Sequence, residues 1–67
     1  MENSVGNIIR ALRKSKNLSQ KELGEKLGFS PRTVSDWEAG NTEPDINTIR
    51  ALVKFFDITY DEFFDEN

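Results

Sequence analysis

The 67-residue chain contains no cysteine and no histidine. Without cysteine, no disulfide can staple the fold. Without either residue there is no Cys/His zinc site and no Ser–His or Cys–His nucleophile pair. Carboxylates are plentiful, but none sits in a recognisable catalytic constellation. The expectation is a chain that is not an enzyme, with no metal, no cofactor and no evident small-molecule site. No apolar run approaches the ~20 residues that a membrane-spanning helix needs. The N-terminus lacks the order of a signal peptide. A cytoplasmic protein with no membrane partner is therefore the default. Period-two alternation is also missing, which argues against strands and for an all-α fold.

What is present fits one domain over residues 1–67. A domain this small buries only about 60% of its extended-chain surface and is marginally stable alone. Net charge is −3, which taken alone argues against a nucleic-acid partner. The distribution changes that. Residues 1–34 carry seven basic groups (Arg10, Arg13, Lys14, Lys16, Lys21, Lys26, Arg32) against three acids, a balance of +4. Residues 35–67 carry two basic groups, Arg50 and Lys54, against nine acids, a balance of −7. A polarised molecule follows, with a basic side suited to phosphates and an acidic side facing away. The run from Asp57 to Glu66 reads as solvated surface.

The most informative stretch is Leu18 to Gly40, LSQKELGEKLGFSPRTVSDWEAG. It reads as two short helices joined by a tight turn, a helix-turn-helix. Ser19 caps the first of these, and Glu22 three residues later completes a capping box. Leu18 and Leu23 take the positions of a hydrophobic staple. Gly28 supplies the left-handed residue that ends the helix. Ser30 caps the second, about Pro31 to Ala39, and Pro31 fits its first position. Gly40 ends it. Gly24 inside a helix costs about 1 kcal/mol relative to alanine, which is tolerable where a second helix crosses too closely for a larger residue.

The flanks are helical as well. The first helix runs from about Ser4 to Lys16, with Val5, Ile8, Ile9 and Leu12 as its apolar stripe. A fourth helix starts near Asp45 and buries Ile46, Ile49, Leu52, Val53 and Phe56. Thr59 and Glu62 form a capping box for a short fifth helix, with Ile58 and Phe63 at staple spacing. The core is expected to hold Ile9, Leu12, Leu23, Leu27, Val34, Trp37, Ile49, Leu52, Val53, Phe56 and Phe63. Trp37, three residues from Val34 on the inward face, belongs to this core rather than to a base-stacking surface.

The pattern of Gln20, Leu23, Gly24, Leu27, Gly28, Val34, Trp37, Glu38 and Gly40 resembles the Cro/cI-type (lambda-repressor-like, XRE) helix-turn-helix family. IIRALRKSKNLSQ resembles its first helix running into its second. EPDINTIRALVKFFDITYDEFF resembles its fourth and fifth. The resemblance covers nearly the whole chain and implies a compact five-helix fold with the helix-turn-helix formed by helices 2 and 3. It also implies an ion pair between Arg13 and Glu38. Base-edge contacts fall by resemblance to Pro31, Arg32 and Asp36, with Thr33 and Ser35 nearby.

At 100° per residue, Arg32 and Asp36 project opposite Val34 and Trp37. A guanidinium at Arg32 can grip guanine O6 and N7 together. Asp36 has three readings: it accepts from cytosine N4, it pairs with Arg32 at i, i+4, or this face does not touch DNA. Phosphate contacts are expected from the start of the second helix, where Ser19 and Gln20 sit at the positive end of a dipole. Gln20 matches a phosphate-contacting position of the family. Lys21 either assists or is simply solvated. Ser30, Asn41 and Thr42 complete the phosphate set, while Glu43 sits in a loop that is often basic in relatives.

Helix-turn-helix readers often pair two-fold across half-sites about 34 Å apart. Phe55, Ile58, Tyr60 and Phe64 form a candidate homodimer patch; the alternative is that they close a small core. The leading reading is a sequence-specific double-stranded DNA-binding transcriptional regulator, a repressor, acting as a homodimer on an operator that is an inverted repeat. The alternative, suggested by the acidic second half and by Asp36, is a protein-interaction module on the same fold, such as an antitoxin or adaptor.

Overall fold

The computed structural model describes residues 4–64. Glu2, and Asp65 and Glu66 of the acidic run, lie outside the described residues. Five helices follow in order: α1 (Val5–Ser15), α2 (Gln20–Leu27), α3 (Pro31–Ala39), α4 (Ile46–Phe56) and α5 (Tyr60–Phe63). Among the described residues there is no strand, and no helix is long and apolar enough to cross a membrane.

Each helix starts on a side chain that satisfies an orphan backbone N–H. Ser4, Ser19, Ser30, Asp45 and Thr59 accept from the N–H three residues on. At α2 and α5 the box is reciprocal: Glu22 accepts from the Ser19 N–H, and Glu62 from the Thr59 N–H, each at 2.8 Å. These are the capping boxes expected from the S-x-x-E and T-x-x-E spacing.

The first four helices end alike. A residue at positive φ turns the chain, and the next N–H reaches back five residues to a carbonyl, the Schellman arrangement. Gly28 (φ 86) and Gly40 (φ 81) serve α2 and α3. Asn17 (φ 58) and Asp57 (φ 57) serve α1 and α4. Asn and Asp are the non-glycine residues that tolerate this region best. The backbone bonds are Leu18 N–H to Arg13 C=O (3.1 Å), Phe29 to Gly24 (2.7 Å), Asn41 to Asp36 (2.9 Å) and Ile58 to Val53 (3.1 Å).

α3 packs against both α1 and α2. The core consists of Ile9, Leu23, Val34, Trp37, Ile49, Leu52, Val53, Phe56 and Phe63. Phe29 meets Trp37 edge to face, ring centroids 5.0 Å apart. Leu12 and Leu27, expected in the core, are only partly buried against it. Ile46 departs further, with 59% of its surface exposed. It is the first residue of α4, on the same side as buried Val53, but at the helix end, where it is left uncovered; Thr48 is buried instead.

Two glycines mark close backbone approaches. A Cβ on Gly24 would strike the Phe29 carbonyl oxygen. The obstacle is thus the turn between α2 and α3, not a crossing helix. A Cβ on Gly6 would strike the carbonyl oxygens of Trp37 and Glu38, where α1 passes the end of α3.

Candidate nucleic-acid interface

α3 owes its orientation to the residues it buries. Val34, Trp37 and Glu38 point inward, which turns the opposite face out. Pro31 and Arg32 are exposed, while Thr33, Ser35 and Asp36 are intermediate. Ser30 accepts from the Thr33 N–H at 3.2 Å and lies 3.0 Å from the Thr33 hydroxyl. The start of α3 is therefore a small hydroxyl cluster beside Pro31.

Arg32 stands out furthest. Its side chain is 85% exposed, against 24% for Asp36 one turn on. Arg32 Nε donates to Asp36 Oδ1 at 3.4 Å. Asn41 Nδ2 donates to the same oxygen, also at 3.4 Å. The Asp36 backbone carbonyl accepts the Asn41 N–H at 2.9 Å and the Thr42 N–H at 3.4 Å. Asp36 thus holds a residue of the outward face and the residues that follow α3.

A charge network centred on the buried Glu38 ties α1 and α2 to the end of α3. The Glu38 side chain is 1% exposed and that of Arg13 12%. Arg13 Nε donates to Glu38 Oε2 at 2.6 Å, and Nη2 donates to Oε1 at 3.0 Å. Arg13 Nη1 donates to the Leu18 carbonyl at 2.8 Å. Gln20 Nε2 adds a 3.1 Å bond to Glu38 Oε1, and Arg10 Nε lies 3.5 Å from the same oxygen. Burial works against the Glu38 charge, but the bonds from Arg13 and Gln20 and the Arg13 charge outweigh it, holding the carboxyl below its ordinary range. The bond to Glu38 raises Arg13 in turn, against the opposing effect of burial.

At the start of α2, the Ser19 N–H is already taken by Glu22, and the Ser19 Oγ accepts from the Glu22 N–H at 3.0 Å. Those bonds hold the Glu22 carboxyl below its ordinary range, the backbone bond from Ser19 contributing most. What remains for an incoming anion is the Ser19 hydroxyl proton and the first N–H groups of α2, at Gln20 and Lys21. The Gln20 side chain, expected to reach a phosphate, has its amide turned inward to Glu38. Lys21 is exposed.

The four residues of the expected dimer patch separate into two kinds. Phe55 and Ile58 are partly buried against the core. Tyr60 (43%) and Phe64 (45%) are exposed. Phe55 and Phe64 rest edge to face on the buried rings of Phe56 and Phe63.

Sequence reasoning missed Gly6, Arg10 and the link from Gln20 to Glu38. Arg10 and Arg13 are three apart on α1, so their shared helix face was a usable signal. Nothing local marked the other two.

A helix-turn-helix family model matches residues 9–63. The chain is 39% identical over 54 residues to the HTH-type transcriptional activator BcrR of Enterococcus faecalis, covering 81% of this chain and 26% of that protein. It is 43% identical over 49 residues to multiprotein-bridging factor 1 of Candida albicans, covering 73% of this chain and 32% of that one. The chain therefore spans about a third or less of the length of these relatives. The P22 c2 repressor protein, solved in complex with a synthetic operator, superposes with a TM-score of 0.84 at 32% identity. That match covers 97% of this chain and 98% of the c2 chain.

Proposed function

The chain belongs to the Cro/cI-type helix-turn-helix family of transcriptional regulators, and from that premise we propose that it binds a double-stranded DNA operator in a sequence-specific way and represses transcription by occluding a promoter. The protein forms one domain, works in the cytoplasm, and lays α3 in the major groove. Pro31, Arg32, Thr33, Ser35 and Asp36 face the base edges. Ser19, Lys21, Ser30, Asn41 and Thr42 face the phosphates, and Gln20, its side chain turned to Glu38, offers its backbone N–H there. The observation that carries this reading is the exposed outward side chain of Arg32 on a helix whose opposite face is fixed in the core. The likeness to a repressor solved on its operator supports the same placement.

Two copies bind an inverted repeat, paired through Phe55, Ile58, Tyr60 and Phe64, of which Tyr60 and Phe64 are exposed. A second reading has specific support: a protein-bridging module. The multiprotein-bridging relatives and the −7 balance of residues 35–67 favour it.

Titrating a labelled duplex across a salt series separates the two. The DNA-binding reading predicts affinity that falls linearly on a log–log plot against salt. It also predicts a loss of about 1–3 kcal/mol on the preferred duplex for Arg32→Ala. Binding that is absent at low salt favours the bridging module.

A further inference from the structure

The base-facing side of α3 has one long cation, Arg32, and it is held at one atom. Its Nε donates to Asp36 Oδ1 at 3.4 Å. A guanidinium offers five N–H donors in a rigid fork. With Nε taken, the two terminal nitrogens remain, and they lie side by side at the outer end. That pair matches two acceptors in one plane. In the major groove only guanine presents two acceptors, O6 and N7, on a single base edge. Adenine places a donor beside its N7.

Asp36 is itself restrained. Its Oδ1 also takes Asn41 Nδ2 at 3.4 Å, and its backbone carbonyl takes the Asn41 N–H at 2.9 Å. The Asp36 side chain is 24% exposed, whereas that of Arg32 is 85% exposed. The carboxylate therefore sits behind the guanidinium, near the end of α3, and Arg32 reaches further out.

We propose that Asp36 is a specificity-determining positioning residue: it holds Arg32 by Nε, presents the terminal nitrogens end-on, and so makes each operator half-site carry a guanine opposite Arg32. The proposal rests on the DNA-binding reading above. Asp36 contacts no base in this arrangement. Its negative charge lowers non-selective attraction to phosphate while directing the one cation that reads.

The test starts from the duplex that the wild-type chain selects from a random pool. The guanine whose preference disappears in Arg32→Ala is then replaced by inosine, which keeps O6 and N7, or by 7-deazaguanine, which lacks N7. The wild-type chain should bind the inosine duplex within about twofold of the guanine duplex and the 7-deazaguanine duplex about tenfold more weakly. In Asp36→Ala that tenfold gap should shrink to about twofold or less, whatever the absolute affinity, with an unchanged melting temperature. Asp36→Asn, which keeps an acceptor at Oδ1, should restore part of the gap. An Asp36→Ala chain that keeps the full gap overturns the proposal and leaves the DNA-binding reading intact. So does a selected site with no Arg32-dependent guanine, or one whose cytosine preference depends on Asp36. A pool that yields no enriched duplex overturns both.

Discussion

Arg13 and Glu38 join α1 to the end of α3 through a two-pronged contact, Nε to Oε2 at 2.6 Å and Nη2 to Oε1 at 3.0 Å. Both side chains are largely shielded from water. Glu38 lies one residue past Trp37 and holds Gln20 of α2 as well. These contacts therefore fix the scaffold that presents Arg32.

Removing one partner of such a pair leaves a buried charge alone, at a cost of about 3–5 kcal/mol. In a domain this small, 1 kcal/mol corresponds to about 4–8 °C of melting temperature. Glu38→Ala should therefore lower the melting temperature by about 12 °C or more, the product of the lower ends of those two ranges. Circular dichroism melting checks it; a shift within about 2 °C, no more than half of what 1 kcal/mol produces, contradicts a structural pair.

Acid should act on the same contact. The Glu38 carboxyl is held below its ordinary value of 4.5, so the folded state binds its proton less readily than the unfolded chain. The stability it confers is fully present above pH 4.5 and is lost as pH falls through the lower, folded value. Denaturant unfolding of wild type and Glu38→Gln should show a constant gap from pH 7 to about pH 5 and a narrowing gap below the ordinary carboxylate range. A gap that persists undiminished to pH 3 contradicts this. Glu22 and Asp45, also held low by backbone bonds, push wild-type stability in the same direction.

Gly6 and Gly24 should resist replacement although alanine is the better helix former by about 1 kcal/mol. In both, the added carbon meets a backbone carbonyl oxygen, which no side-chain rotation can move aside. Forced overpacking costs about 1–3 kcal/mol, so Gly6→Ala and Gly24→Ala should each lower the melting temperature. A rise in either would show that the backbone yields cheaply there.

Much of the fold was legible because its punctuation is local. The caps at Ser19, Ser30, Asp45 and Thr59 rest on contacts three residues long, and Gly28 and Gly40 declare themselves by type. Asn17 and Asp57 perform the same turn as those glycines, but nothing local distinguishes them from solvated polar residues. Gly6 was opaque for another reason: its neighbour is the end of α3, more than thirty positions on. The inward turn of Gln20 likewise depends on where Glu38 comes to rest. Ile46 was misplaced because helical periodicity gives an angle, not the depth at which a helix end stops being covered.

The proposed dimer makes its own demand. Tyr60 and Phe64 are exposed, so replacing both by serine should leave the melting temperature nearly unchanged. Sedimentation at high micromolar concentration should show dimer for the wild-type chain and monomer for the double variant. A wild-type chain that stays monomeric contradicts the pairing of the free protein.

On the proposal above, the outward face of α3 reads DNA sequence. Selection of the purified chain on random duplex DNA, at low and moderate salt, tests it most directly. The predicted result is an enriched inverted repeat whose half-sites share a guanine that Arg32→Ala no longer selects. No enriched sequence at either salt would contradict the claim and leave the protein-bridging reading in its place.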